Sequence, residues 1–218
     1  MTYEEIKKNP EVLALLKKGN ENLGVMGFTD HSIAHCVLVA ERAAQILRQL
    51  GYSEHQQELA KIAGVMHDIG NCVNRTHHAE SGALLANLIL RETDMALEDR
   101  IVVISAIGNH DESTGGAKDT VSAAIVLADK SDVRRNRVRY KEKEVLDIHD
   151  RVNYAVTGSS LKVQPYDRTI SLNLQVDTAI CSMYEYFDIF LGRMMMCRKA
   201  AELLAAQFRL TVNGGKVL

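Results

Sequence analysis

Apolar residues recur at helical spacing along most of this chain, and the pattern changes character only in its last third. Ile33, Val37, Ala40, Ala44 and Leu47 step by three or four residues and stop before Gly51, which predicts a helix carrying His35. Asp30, after the glycine-bearing loop 24–29, is its expected N-cap. Ser53 and Gln56 form a capping-box pattern that opens the next helix. Its apolar run from Leu59 ends in His67-Asp68. Similar spacing predicts helices over 3–18, 78–91, 94–110 and 120–135, with 111–118 as a loop.

A further helix is expected from 141 to 156. The stretches 160–164 and 169–176 then alternate apolar and polar residues around Pro165-Tyr-Asp-Arg168, the signature of a hairpin. Asp177 is the expected cap of a long helix reaching 206. Ile189, Phe190 and Met194 to Met196 spread apolar character round most of its circumference, and Tyr184, Phe187 and Phe190 read as core. A last strand with a tight turn at Asn213-Gly-Gly closes the chain. The expected fold is mainly α, a helical domain over 1–140 with a small antiparallel sheet in a C-terminal α/β extension over 141–218. The extension must pack on the helical body or on a second subunit, because three short strands cannot cover a core alone. A homodimer is the form the second option takes.

Composition narrows the setting. The 218 residues are 46% hydrophobic and 25% charged, ordinary for a soluble globular protein. A net charge of −2 gives no reason to expect a stable nucleic-acid partner. There is no signal-peptide pattern and no apolar run long enough to span a bilayer, so no membrane partner is expected. Cys36, Cys72, Cys181 and Cys197 are scattered without a CxxC motif and read as reduced thiols of a cytoplasmic protein.

The chemistry centres on His67-Asp68. Two metal-loving side chains at the end of a buried-looking helix cost stability unless something binds them. His35 precedes the pair, and His78, His110 and Asp129 follow it. Imidazoles and carboxylates are the donors that divalent metals use. A single histidine on a helix is more often a surface or hydrogen-bonded residue, and His55, His77 and His149 are read that way. His31 lies one turn before His35 and is expected at the entrance or behind a ligand. Cys36 and Cys72 are read as packing, and the Met194 to Met196 run as core filler.

Seven basic residues fall between Lys130 and Lys143: Lys130, Arg134, Arg135, Arg137, Arg139, Lys141 and Lys143. A solvated helix face is the default reading. If the helix continues past Asp129, Lys130 and Arg137 share the flank of the site mouth and can contact substrate phosphates.

The ordered set resembles the HD-domain metal-dependent phosphohydrolase superfamily over roughly residues 28–135. The resemblance includes local context: His35-Cys-Val-Leu-Val-Ala, Val65-Met-His67-Asp68-Ile-Gly70, His78-Ala-Glu-Ser-Gly82-Ala, Ala106-Ile-Gly-Asn-His110-Asp-Glu, and Ala124-Ile-Val-Leu-Ala-Asp129-Lys130. It implies an HD helical bundle in which His35, His67, Asp68 and Asp129 form the core metal site. His78 and His110 would be the additional ligands of two-metal members, with Asp68 bridging the ions. The implied cofactor is a divalent metal, two ions of Fe, Mn, Zn, Ni or Co, with Mg admissible. The implied reaction is cleavage of a phosphoester or phosphoanhydride in a small, nucleotide-like substrate by metal-activated water. Asp68 and Lys130 would be catalytic, and Lys130, Arg137 and His31 would contact substrate. Two departures stand out. Asp111 replaces a histidine found in some two-metal members, and the glycine-bearing segment of cyclic-di-GMP hydrolases is missing after Glu112. The alternatives are a di-iron oxygenase of the same superfamily and a non-catalytic metal- or ligand-sensing module.

Overall fold

A computed structural model describes residues 1–139 and 148–218. Lys141, Lys143 and the first part of the helix expected over 141–156 lie outside the described residues, as does the side chain of His149.

The body is helical. Its first seven α-helices are α1 (Tyr3–Ile6), α2 (Pro10–Val25), α3 (Ile33–Gln49), α4 (Glu54–Met66), α5 (His78–Arg91), α6 (Leu97–Gly108) and α7 (Thr120–Lys130). The single helix expected over 3–18 is two. Pro10 occupies the first turn of α2, where its missing N–H costs nothing. The Asn9 side chain accepts from the N–H groups of Glu11 and Val12 at 2.9 and 3.2 Å. The cap of α3 is Ser32 and not Asp30. The Asp30 carboxylate instead accepts from the Ser32 hydroxyl at 2.6 Å, bracing the residue that precedes the helix. The Ser53–Gln56 capping box on α4 is present as expected.

Helix α7 is the core of the bundle, buried continuously from Val121 to Ala128. It stops at Lys130, short of the expected 135. Ser131 caps it, giving its hydroxyl to the Ala128 carbonyl, and Arg42 donates to that hydroxyl. A 3-10 turn over Arg135–Arg137 follows, so Lys130 and Arg137 do not share a helix flank.

Two contacts set the position of the histidines. Helices α3 and α4 cross so closely that a Cβ on Gly64 would lie 2.6 Å from the Ala40 Cα. That crossing brings the rings of His35 and His67 to 5.4 Å between centroids. A 3-10 turn over Ile69–Cys72 then carries the chain from α4 across the start of α5.

In the C-terminal part, α8 (Ile148–Ala155) leads into β1 (Val156–Gln164), which pairs antiparallel with β2 (Thr169–Val176) around the Pro165–Arg168 turn. Helix α9 (Met183–Leu203) crosses over to β3 (Gln207–Val212), which lies parallel to β2, and β4 (Gly215–Lys216) returns antiparallel. The small sheet is therefore mixed and not antiparallel, because a long helix between two adjacent strands can return the chain in the same direction. Asn213 and Gly214, at φ of 50° and 80°, make the tight turn before β4.

The cap of α9 is Ser182 with Glu185, not Asp177, which instead accepts from the Ala179 N–H in the preceding turn. Tyr186, Phe190, Met194, Cys197 and Ala201 form one buried stripe, and α9 packs against α7. Burial does not follow the apolar residues round the whole helix, since Tyr184, Leu191 and Leu203 are exposed. Tyr186, stacked on Phe190 at 5.0 Å, holds the core position expected for Tyr184. Met194 and Met196 are buried as expected. Among the described residues no helix is long and apolar enough to cross a membrane.

Gly64→Ala should push α3 and α4 apart. A loss of about 1–3 kcal/mol in urea unfolding is expected, together with weaker metal uptake. Wild-type stability and uptake in this variant would show that the close crossing does not set the histidine positions.

Candidate metal centre

The six candidate ligands come from the ends of five helices. His35 lies in the first turn of α3, and His67 and Asp68 follow the last residue of α4. His78 opens α5, His110 comes just after α6, and Asp129 is next to last in α7. The four histidines and Asp68 are at most 3% exposed. Helix ends suit such a site because the chain turns there and side chains from different directions can meet.

Each imidazole is held by its outer nitrogen. The Nδ1 of His67 faces the Gly64 carbonyl at 2.8 Å, that of His78 the Arg75 carbonyl at 3.0 Å, and that of His110 the Ile107 carbonyl at 2.7 Å. A carbonyl only accepts, so Nδ1 carries the proton in all three. The Nδ1 of His35 faces the Asp132 carboxylate at 2.7 Å. With the protons outward, the Nε2 atoms are the inward donors. Outer partners of this kind fix the tautomer and orientation of a metal-ligating imidazole.

The inward atoms fall into two groups that share Asp68. Its Oδ2 lies 3.3 Å from His67 Nε2 and 3.8 Å from His35 Nε2, and Asp129 Oδ1 lies 3.3 Å from His35 Nε2. Its Oδ1 lies 3.8 Å from His78 Nε2 and 3.9 Å from His110 Nε2. Donor atoms of His35, His67 and Asp129 all lie within 4.8 Å of one another, as do those of Asp68, His78 and His110. His35 Nε2, His67 Nε2 and Asp68 Oδ2 are buried without a hydrogen-bond partner. Orphaned buried polar atoms are costly. Several converging on one point are what a divalent ion would satisfy, so the residues fit the group.

Local electrostatics agree. Desolvation would raise the Asp68 carboxyl, but the nearby imidazoles, His67 foremost, hold it well below the usual range. Asp129 is likewise held down against desolvation, chiefly by Lys130. Burial pushes His110 and His78 down, keeping them neutral. Desolvation opposes protonation of His67 as well, but Asp68 and Asp129 outweigh it and raise its pKa. Cys36 can also place its sulfur near His67 and Asp68, but burial pushes its thiol well up, in keeping with a packing role.

The other expected site residues are near but differently engaged. A cavity of about 380 Å³ opens beside the cluster, and His31, Lys130 and Arg137 line it. His31 donates from Nδ1 to the Thr29 carbonyl at 2.7 Å and sets its ring edge-on to His35. The Lys130 ammonium lies 2.9 Å from Asp129 and 2.6 Å from Glu112. Arg137 reaches the cavity from its 3-10 turn and donates to the carbonyls of Asp30 and Asp132 at 3.0 and 2.8 Å. His55 and His77 are exposed, as expected, and pair with Asp99 and Glu80.

Four residues escaped the sequence reading: Asp132, Glu112, Arg193 and Arg75. Asp132 is buried, accepts from His35, and is bracketed by Arg134. Its signal was the Asp129-x-x-Asp132 spacing at a helix end. Glu112 joins Lys130 to Arg193 of α9, 2.7 Å away. Arg75 sits in a loop, where helical spacing carries no information.

Desolvation would raise the Asp132 carboxyl, yet the hydrogen bonds from His35 and Arg134 hold it below the carboxylate range. Asp132→Ala should therefore weaken metal binding about 10–100-fold in a calorimetric titration. Unchanged affinity would show that His35 needs no outer partner. Because the folded pKa is depressed, the stabilisation from Asp132 is complete above about pH 4 and is lost as pH falls below it. The acid limb of the melting-temperature profile should flatten in Asp132→Asn.

The HD domain family profile matches residues 32–155, more than half of the chain. The chain is also 29% identical over 173 residues to the uncharacterized protein MJ1020 of Methanocaldococcus jannaschii, covering 68% of this chain and 66% of that protein. The matched segment holds all six converging residues, and the chain belongs to the HD-domain family, a metal-dependent hydrolase superfamily.

Proposed function

We propose that this protein is a phosphohydrolase that cleaves a phosphoester or phosphoanhydride bond in a small, nucleotide-like substrate at a two-metal centre. The observation that carries this reading is the division of Asp68, whose two oxygens face two separate pairs of imidazoles. His35, His67, Asp68 and Asp129 would hold one ion, and Asp68, His78 and His110 the other. Six protein donors exceed what a single four-coordinate ion uses. Divalent ions bound there supply an activated water and a clamp on a phosphoryl oxygen.

The chain's own residues prepare the rest. Lys130, Arg137, Arg75 and Arg193 line the cavity beside Asp68, Asp111, Glu112, Asp129 and Asp150, and supply the kind of donors that a phosphorylated ligand uses. Phe28 and His31 also line the cavity and would be the aromatic neighbours of a base. Lys130 holds its proton at Nζ between Asp129 and Glu112 at the cavity wall, and would be the chain's proton donor to a leaving oxygen there. In this reading the described C-terminal residues, 148–218, work as part of this body, since α9 carries Arg193 to the cavity.

Two metals per chain are expected by elemental analysis under metal-replete conditions, with phosphate released from a nucleotide panel and no oxygen consumed. A stoichiometry well below two would leave His78 and His110 as substrate-binding groups. Asp68→Ala should lower turnover and metal affinity by at least about a hundredfold, while circular dichroism stays helical. Full turnover in that variant would sink the mechanism. His31→Ala should lose less metal than His35→Ala, and equal losses would mean that the first ligand is misassigned.

A further inference from the structure

The second half of the centre has an unusual feature. His78 Nε2 and His110 Nε2 lie 3.1 Å apart. Both rings have their Nδ1 on a carbonyl, so two lone pairs face each other. Such an arrangement is repulsive unless a cation lies against it. Arg75 provides one: its Nη1 lies 3.3 Å from His78 Nε2. The same residue thus grips His78 at both ends, by its backbone carbonyl at Nδ1 and by its guanidinium at Nε2. The side-chain contact uses the lone pair that a metal would need. The backbone contact does not, and it survives any substitution at position 75.

Arg75 also has somewhere else to go. Its guanidinium carbon lies 5.5 Å from the ring centre of Phe28, and both residues line the cavity. A guanidinium stacked on an aromatic face stays local when one hydrogen bond is lost. Displaced from His78, it remains in the cavity, where a phosphoryl group is the acceptor that its planar fork matches.

The geometry points to Arg75 as an exchanging residue. It occupies the His78 side of the centre as a counter-cation until the second ion enters, and it then turns to the phosphoryl group of the substrate. The second metal position would accordingly be the weaker and more exchangeable of the two. This inference rests on the two-metal reading above and adds a specificity-determining residue to it.

The test is calorimetric titration of Mn²⁺ into the full-length, chelator-stripped protein. Wild type should show one tight and one weaker binding step. Arg75→Gln, which keeps much of the stem and loses the charge, should tighten the weaker step about tenfold or more. Arg75→Ala should do the same, and provides a second reading if either variant folds poorly. His78→Ala should abolish that step. Inorganic phosphate titrated into the Mn²⁺-loaded proteins should bind about tenfold more weakly to either Arg75 variant than to wild type. A weaker step left unchanged or loosened in the Arg75 variants would overturn the exchange, and so would an unaltered phosphate affinity. If wild type itself takes up fewer than two ions, the two-metal reading fails first. Two ions in wild type with no response to Arg75 substitution would remove only this inference.

Discussion

The rest of the centre depends on the proton at Nδ1. Once a carbonyl or carboxylate takes that proton on the outer side of each ring, the inner nitrogen is left as a lone pair, and four lone pairs point into one buried volume. The three carbonyl acceptors belong to Gly64, Arg75 and Ile107, each three residues before its histidine. The backbone at or beside a helix end thus orients the ring that follows or opens it. No long-range contact is needed to set those three tautomers. Only His35, which lies inside the first turn of its helix, requires a distant partner, and Asp132 supplies it.

That local rule explains what could be read from the sequence. His67-Asp68, His78 and His110 stood out because they lie at the ends of apolar runs, where helices were expected to start or stop, whereas Asp129 fell inside the helix expected over 120–135. The convergence of those ends was carried by family resemblance and not by periodicity, since spacing along one helix says nothing about where two helices cross. The two misread caps share a cause. Asp30 and Asp177 are good cap residues, but each spends its carboxylate on a turn just before the helix, and a serine takes the cap position. The parallel pairing of β2 with β3 was invisible because the strand pattern fixes which face is buried and not the direction of the neighbour. Arg75, Asp132 and Glu112 lie in turns, and their roles depend on atoms that only the folded chain brings near.

Charge is arranged with equal economy. Asp129 faces the imidazoles with one oxygen and Lys130 with the other. Lys130 in turn meets Glu112, and Glu112 meets Arg193 from α9. This chain of alternating charges runs from a candidate ligand, across the cavity wall, to a helix outside the family-matched segment. Buried charges are tolerated when each is paired and hydrogen-bonded. The C-terminal part therefore does more than cover α7: it completes the charge balance of the site.

The glycines of the two central motifs have a steric reason to be where they are. A Cβ on Gly70 would lie 2.0 Å from the His78 carbonyl oxygen and 2.5 Å from the Gly82 nitrogen, and one on Gly82 would lie 3.3 Å from the Gly70 nitrogen. The turn that follows His67-Asp68 is thus pressed directly onto the first turn of α5, backbone against backbone. That contact is what brings Asp68 Oδ1 to His78, and it leaves no room for a side chain between them. Gly70 has an ordinary negative φ, so its requirement is close approach and not backbone freedom. The spacing of His67-Asp68-x-Gly70 and His78-x-x-x-Gly82 therefore reflects one packing event: two motifs separate in the sequence are two sides of a single backbone contact. Loss of Gly70 would separate the halves of the centre even with every ligand in place, whereas a methyl on Gly82 asks its neighbours to give by only a few tenths of an ångström.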